Sequence, residues 1–299
     1  MEGIRLLTTA THSRLHVLRK GPLFLDAIRF HESIFALPFA YMGMILAADG
    51  FPGWQTFAWI TVAMVSARTV GMAANRIIDR KIDALNPRAS ARHLPSGLIK
   101  VNEMTVLTAV AFAIFIFAAS QLNTLSVVLA PVAAAYLVAY PFTKRFTWAA
   151  NLLLGWALAM SPSAAWIGVN GSLSLQPVLL SLAVALWAGS FDIIYHTQDR
   201  EFHLQEGLNS VAVRFGVVNA FRLARSLDVL AVASLIGLGL WMELAWPYFV
   251  GCAAASGLLS YKYRMVSPTD LSRLGIAFGR INAYTSTTMF VATILAMSV

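Results

Sequence analysis

The placement of the 22 lysines and arginines constrains this chain more than any other feature. Between them run nine strongly apolar stretches, at about 33–48, 54–74, 104–121, 124–141, 149–169, 175–195, 218–242, 244–263 and 277–298. Each approaches the roughly 20 residues that a helix needs to cross about 30 Å of hydrocarbon. Arg68 stands inside the second stretch. The other basic residues gather before the first stretch or at alternate loops and the helix ends beside them: Arg5, Arg14, Arg19, Lys20 and Arg29; Arg76 to Lys100; Lys144 and Arg145; Arg200 to Arg225; and Lys262 to Arg280. The opposite loops carry only Asp49 and Glu243. Positive residues favour the cytoplasmic side, so this alternation predicts a cytoplasmic N-terminus, a C-terminus on the far side and an odd number of spans.

Composition agrees with that reading. The chain is 58% hydrophobic and 12% charged, against about 45–50% and 25% in a soluble domain. Disorder, a disulfide scaffold and a coiled coil are excluded, and an all-α polytopic membrane protein with nine transmembrane helices is expected. The net charge of +8 reflects topology and anionic lipid headgroups, and no nucleic-acid partner is expected. Cys252 can neither pair within the chain nor build a thiolate metal site, and is read as a small buried hydrophobe. The first apolar run begins some thirty residues in and lacks a small-residue cleavage site, so no removable signal peptide is expected. One domain over 1–299 is expected, with a cytoplasmic segment at 1–22 and two halves at about 23–145 and 146–299.

Although every cytoplasmic loop is basic, most acidic residues gather at the ends of the second and sixth stretches. In the first segment Asn75, Asp79 and Asp83 follow one another at i, i+4 steps. On a helix each step turns about 40° past a full rotation, so the three form one ladder. In the second, Asp192, Tyr195 and Asp199 stand at i, i+3 and i+7, again on one helical face. Hard oxygen donors of this kind suit Mg²⁺, which is usually held by one or two carboxylates together with substrate phosphates. Two such ladders in a basic rim read as a magnesium-bridged diphosphate site. Lys81, Arg88, Arg92, Lys144 and Arg145 lie in the same layer and are candidates for the phosphate oxygens. The plainer alternative is a pair of solvated helix ends with local i, i+4 ion pairs. Carboxylates beside a membrane core are costly, which favours the functional reading. Each ladder is followed by a short basic loop with a glycine, Arg92 to Gly97 and Ser210 to Gly216, consistent with two bundles facing one cavity.

These residues resemble the UbiA superfamily of intramembrane aromatic prenyltransferases, whose members share an N-x-x-x-D-x-x-x-D and a second D-x-x-x-D motif. The resemblance rests on Asn75 to Asp83, Phe30 to Ala40, Arg92 to Gly97, Tyr140 to Thr147 and Asp192 to Asp199. It implies nine helices around a central cavity, two Mg²⁺ ions and transfer of an isoprenoid from its diphosphate to an acceptor. By position, Asn75, Asp79 and Asp83 would hold one metal, and Asp192 and Asp199 would line the opposite wall. Two positions depart. His203 stands where many members have Asp, and imidazole is a poor Mg²⁺ ligand, so either Asp199 works with Glu201 or water, or the second ion is held more weakly. Arg76 also stands where many have Asp.

In that frame Asp79, Asp83, Asp192, Tyr195 and Asp199 are the expected catalytic residues. Phe35, Tyr41, Trp156, Trp166, Trp187 and Tyr195 are candidates for a water-excluding wall. His31, His196 and Asp199 are candidate bases. Arg68 could hold an acceptor carboxylate, or serve as partner to Asp79 or Asp192. The Phe30 to Ala40 stretch and the Gln198 to Glu201 run look like the branch that prenylates 4-hydroxybenzoate or dihydroxynaphthoate acids for ubiquinone or menaquinone. Haem, chlorophyllide and homogentisate enzymes share the metal motifs. A CDP-alcohol phosphotransferase would need an Asp-Gly and Ala-Arg pattern that is absent. A secondary transporter would place its acids near the midplane in broken helices.

Overall fold

The computed structural model describes residues 20–299. Arg5, Arg14, Arg19 and most of the 1–22 segment lie outside them. Apart from turns and an isolated bridge between Ser267 and Asp270, the described chain is helical. Its long helices are α1 (Leu37–Ala48), α2 (Trp54–Leu85), α3 (Val101–Ser120), α4 (Thr124–Ala139), α5 (Ala150–Asn170), α6 (Leu175–His196), α7 (Val211–Trp241), α8 (Trp246–Met265) and α9 (Asn282–Ala296).

Seven segments of the described residues are long and apolar enough to span a membrane: Phe30–Ala48, α2, α3, Thr124–Arg145, α5, Leu175–Gln205 and α7. The sequence suggested nine. Two do not qualify for visible reasons: α8 mixes Trp, Pro, Tyr, Gly and Ser with its apolar residues and carries Lys262 and Arg264 in its last turn, and the stretch expected from 277 opens with a π turn, Ala277–Ile281, leaving 15 residues for α9. Large apolar side chains face outward along the bundle, among them Val106, Phe117, Val132, Val229 and Leu240. Water would not tolerate that surface but lipid does, and the protein is an integral membrane protein.

Helix contacts rely on small residues, as expected where lipid gives no hydrophobic drive to pack. A Cβ at Gly43 on α1 would come within 2.3 Å of the Pro162 carbonyl oxygen on α5, and one at Gly155 within 2.3 Å of the Ala185 oxygen on α6. These approaches press α1, α5 and α6 around a core that includes Phe39, Met42, Trp187 and Tyr248. Gly97 and Gly216 both adopt positive φ, 76° and 79°, so each ladder is followed by a turn that favours glycine. At Gly216 the helical path of α7 breaks.

The length of α2 places the first ladder. Its 32 residues extend about 48 Å. From Trp54 to Asn75 the helix rises about 32 Å, one hydrocarbon thickness, so Asn75, Asp79 and Asp83 emerge where lipid gives way to headgroups. The second ladder is less regular. Helix α6 ends at His196 and Thr197–Asp199 forms a 3₁₀ turn, so Asp199 is not the continuation of one α-helical face.

Candidate active site

All four carboxylates are buried, and each meets a cation or amide from elsewhere in the chain. Lys144 Nζ lies 2.6 Å from Asp79 Oδ2, Arg145 Nη2 3.3 Å from Oδ1, and Asn75 Nδ2 donates to Oδ2 at 3.1 Å. Arg92 Nη1 donates to both oxygens of Asp83 at 2.8 Å. Arg88 reaches Asp199 through Nε, at 2.9 Å, and through Nη2, while Asn86 Nδ2 donates to Oδ1 at 3.3 Å. Asp192 accepts from Asn151 Nδ2 at 2.8 Å and has His196 Nδ1 3.2 Å from its Oδ1. Two of these contacts, Asn75–Asp79 and Asp192–His196, are the local i, i+4 pairs of the plainer alternative; the others are not. The cations of Asp79 and Asp199 come from 65 or more residues away, so the fold itself brings the basic rim onto the ladders.

Asn86 and Arg88 follow the first ladder directly and bond the second, which brings both walls to one end of the bundle. Arg88 Nη1 also donates to the Tyr195 hydroxyl at 2.8 Å, and its guanidinium lies 4.9 Å from that ring centre. Burial works against the Arg88 charge, yet the Asp199 carboxylate holds the guanidinium above its ordinary pKa.

Other expectations are redistributed. Lys81, two residues past Asp79 and so about 200° round the helix, is exposed and meets none of these carboxylates. Arg68 pairs with neither Asp79 nor Asp192. Its Nη2 donates to the Arg29 carbonyl at 3.0 Å and stands 3.7 Å from Glu32 Oε2. Glu201 is exposed and pairs with Arg200 at 2.5 Å, so it does not assist Asp199. His203 is buried against His196, ring centres 6.0 Å apart. Arg76 is buried with its Nε donating to the Ala27 carbonyl at 2.9 Å, which ties the helical stretch 20–27 to α2.

Above this layer lies a cavity of about 180 Å³ between α2 and α5, closed by the 3₁₀ turn Phe30–Phe35 and the end of α6, with Asp192 and Arg68 on its wall. Of the six aromatic residues proposed as lining, Phe35 faces it. Trp156 is turned out to lipid, 44% exposed, Trp166 and Trp187 are packed in the core, and Tyr41 bonds Thr61 at 3.1 Å. Tyr195 sits under Arg88 instead. The aromatic wall is completed by Phe115, Tyr140, Phe191 and Phe278. Three residues on this wall, Ser33, Arg68 and Ser161, each carry a buried polar atom without a hydrogen-bond partner, Oγ, Nε and Oγ. A buried polar group left unpaired costs about 1–3 kcal/mol. Sequence reasoning overlooked Glu32, Asn86, Asn151 and the two serines. Glu32, a carboxylate at the start of an apolar stretch, carried a usable signal; serines in apolar helices carry none.

Among the described residues no three acidic or histidine side chains converge on one point. The donor chemistry nonetheless fits a hard cation: four buried carboxylates and an Asn75 carbonyl, with basic partners that remain 23–32% exposed and can turn aside.

Residues 36–294 match the UbiA prenyltransferase family. The chain is 32% identical over 255 residues to a 4-hydroxybenzoate octaprenyltransferase of Aeromonas salmonicida, covering 84% of this chain and 86% of that one. It is 28% identical over 278 residues to one of Aliivibrio salmonicida, covering 92% and 97%. The apo structure of a UbiA homolog from Aeropyrum pernix K1 superposes with a TM-score of 0.82 at 29% identity, over 89% of this chain and 98% of that one. A UbiA homolog from Archaeoglobus fulgidus bound to GPP and Mg²⁺ shares the fold, with a TM-score of 0.66 at 19% identity over 93% and 100%.

Proposed function

The chain belongs to the UbiA prenyltransferase family and is a prenyltransferase, and from that premise we propose that it transfers a polyprenyl group from its diphosphate to 4-hydroxybenzoate or a like aromatic acid, with Mg²⁺, in quinone biosynthesis. The observation that carries this reading is the cavity that joins Asp192 to Arg68, mostly apolar, with Glu32, Ser33, Tyr140 and Ser161 as the other polar residues of its wall. A guanidinium with a free N–H suits a carboxylate, and a serine hydroxyl suits a phenol.

Asn75, Asp79 and Asp83 on one wall and Asp192 and Asp199 on the other would hold the metal. The metal held there would supply positive charge to offset that developing on the diphosphate as the C–O bond breaks. Lys144, Arg145, Arg88 and Arg92 bind phosphate oxygens from the same layer. Phe35, Phe115, Phe191 and Phe278 keep water from the allylic cation. Arg68 holds the acceptor so that a ring carbon meets it. Of the three candidate bases, His196 touches the cavity wall through Asp192, and the pair takes the ring proton. His31 is exposed, and Asp199 does not line the cavity. In this reading α8 and α9 also cross the bilayer, giving nine spans with the basic loops and N-terminus in the cytoplasm.

Purified protein incubated with labelled polyprenyl diphosphate and a panel of 4-hydroxybenzoate, dihydroxynaphthoate and homogentisate, with and without EDTA, tests the reading. Product with 4-hydroxybenzoate or dihydroxynaphthoate and its loss in EDTA are expected. Turnover of homogentisate alone overturns the acceptor assignment.

Lys144→Gln leaves Arg145 on the loop and should still insert. Its donor KM should rise about tenfold, the worth of one charge-assisted contact, with acceptor KM unchanged. Unchanged donor kinetics would return Lys144 to a purely topological role.

A further inference from the structure

On the outer face of the bundle, α7 changes from basic to apolar within about two turns. Arg222, Arg225 and Ser226 share an exposed stripe with Val229, at the i, i+3, i+4 and i+7 positions of one helix face. With Tyr263 and the Ser267–Pro268 corner beyond α8 they line a groove of about 720 Å³. No carboxylate lines it. Among the described residues neither arginine pairs with one: Arg222 Nη1 donates to Asn219 Oδ1 at 3.1 Å, and the Arg225 guanidinium lies 4.7 Å from the Tyr263 ring centre.

The wall under Arg225 is fixed from inside the bundle. The Tyr263 hydroxyl donates to Asp228 Oδ2 at 2.6 Å, and the same oxygen lies 2.7 Å from Lys262 Nζ. Lys262 is fully buried and donates to Ser190 Oγ at 3.3 Å. Helices α6, α7 and α8 are thus cross-linked, and Arg225 stacks on a ring that cannot wander.

We propose that this groove binds one anionic phospholipid from the leaflet on the basic side, with its phosphate on Arg222 and Arg225 and an acyl chain along Val229 and Leu230. Two uncompensated guanidiniums call for an anion. The apolar wall directly beside them calls for hydrocarbon, which a soluble anion lacks. A choline headgroup would bring its own cation against the arginines. The site stands apart from the substrate cavity and does not depend on the reaction assigned above.

Native mass spectrometry of the full chain in detergent, offered phosphatidylglycerol or phosphatidylcholine of matched acyl chains, tests it. The wild type should retain phosphatidylglycerol selectively. Arg222→Gln/Arg225→Gln should lose that retention about tenfold or more, in line with two arginines at a membrane surface, while remaining monodisperse. Arg214→Gln removes an exposed charge outside the groove and should keep retention. Excess inorganic phosphate should not displace the lipid. Equal retention of both lipids, undiminished retention in the double variant, equal loss in Arg214→Gln, or displacement by free phosphate would each overturn the proposal.

Discussion

Asp79→Ala is expected to lower turnover by at least about a thousandfold, because it removes a hard oxygen donor from the layer where charge develops on the leaving diphosphate. The same substitution leaves Lys144 and Arg145 without their shared carboxylate. Breaking a fully buried pair costs about 3–5 kcal/mol, but both cations here are partly exposed and water can take over, so about 1–2 kcal/mol of stability is expected to go. Asp79→Asn keeps the shape and one acceptor oxygen, removes the charge and turns the other oxygen into an NH2 that faces a cation; it should be equally inactive and, like Asp79→Ala, somewhat less stable, without leaving a cavity. Turnover and thermal unfolding in detergent, measured on both variants, decide the matter. Activity above a tenth of wild type in folded Asp79→Asn would remove this carboxylate from the chemistry. Asp199→Asn tests the opposite wall in the same way, with Arg88 as the partner left behind.

For Arg68→Gln the expected loss falls on the acceptor. A guanidinium–carboxylate contact in a water-poor cavity contributes about 1.5–3 kcal/mol, so acceptor KM should rise roughly 10- to 100-fold while donor KM stays put. The diagnostic measurement compares 4-hydroxybenzoate with phenol. Wild type should strongly prefer the acid, and the variant should have lost most of that preference. Because Arg68 also supports the Arg29 carbonyl and Glu32, a deformed first turn is the competing explanation. It would raise both KM values and leave the preference for the acid intact.

The two ladders differ in how much of their geometry could be read in advance. Asn75, Asp79 and Asp83 lie on one uninterrupted helix, so their i, i+4 spacing translates directly into a shared face. Asp192, Tyr195 and Asp199 cross a change from α-helix to 3₁₀ turn, where the angle per residue increases. Spacing alone therefore misjudges their common face, although Arg88 still gathers Tyr195 and Asp199. Lys81 shows the opposite limit: it belongs to the right loop region but faces away, as its position two residues from Asp79 already required.

Local chemistry determined the membrane class, the alternation of basic ends, the first ladder and the family motifs, because each depends only on runs of apolar residues or on spacing within one helix. Which cation meets which carboxylate was decided by tertiary structure, since Lys144 and Asp79 are 65 residues apart and Arg88 and Asp199 are 111 apart. So were the aromatic residues that face the cavity: Phe115, Tyr140, Phe191 and Phe278 come from different elements and share no sequence period. Hydropathy treats an aromatic turned to lipid and one turned to the cavity alike. Only the packing of helices against one another distinguishes Trp156 on the outside from Phe35 within.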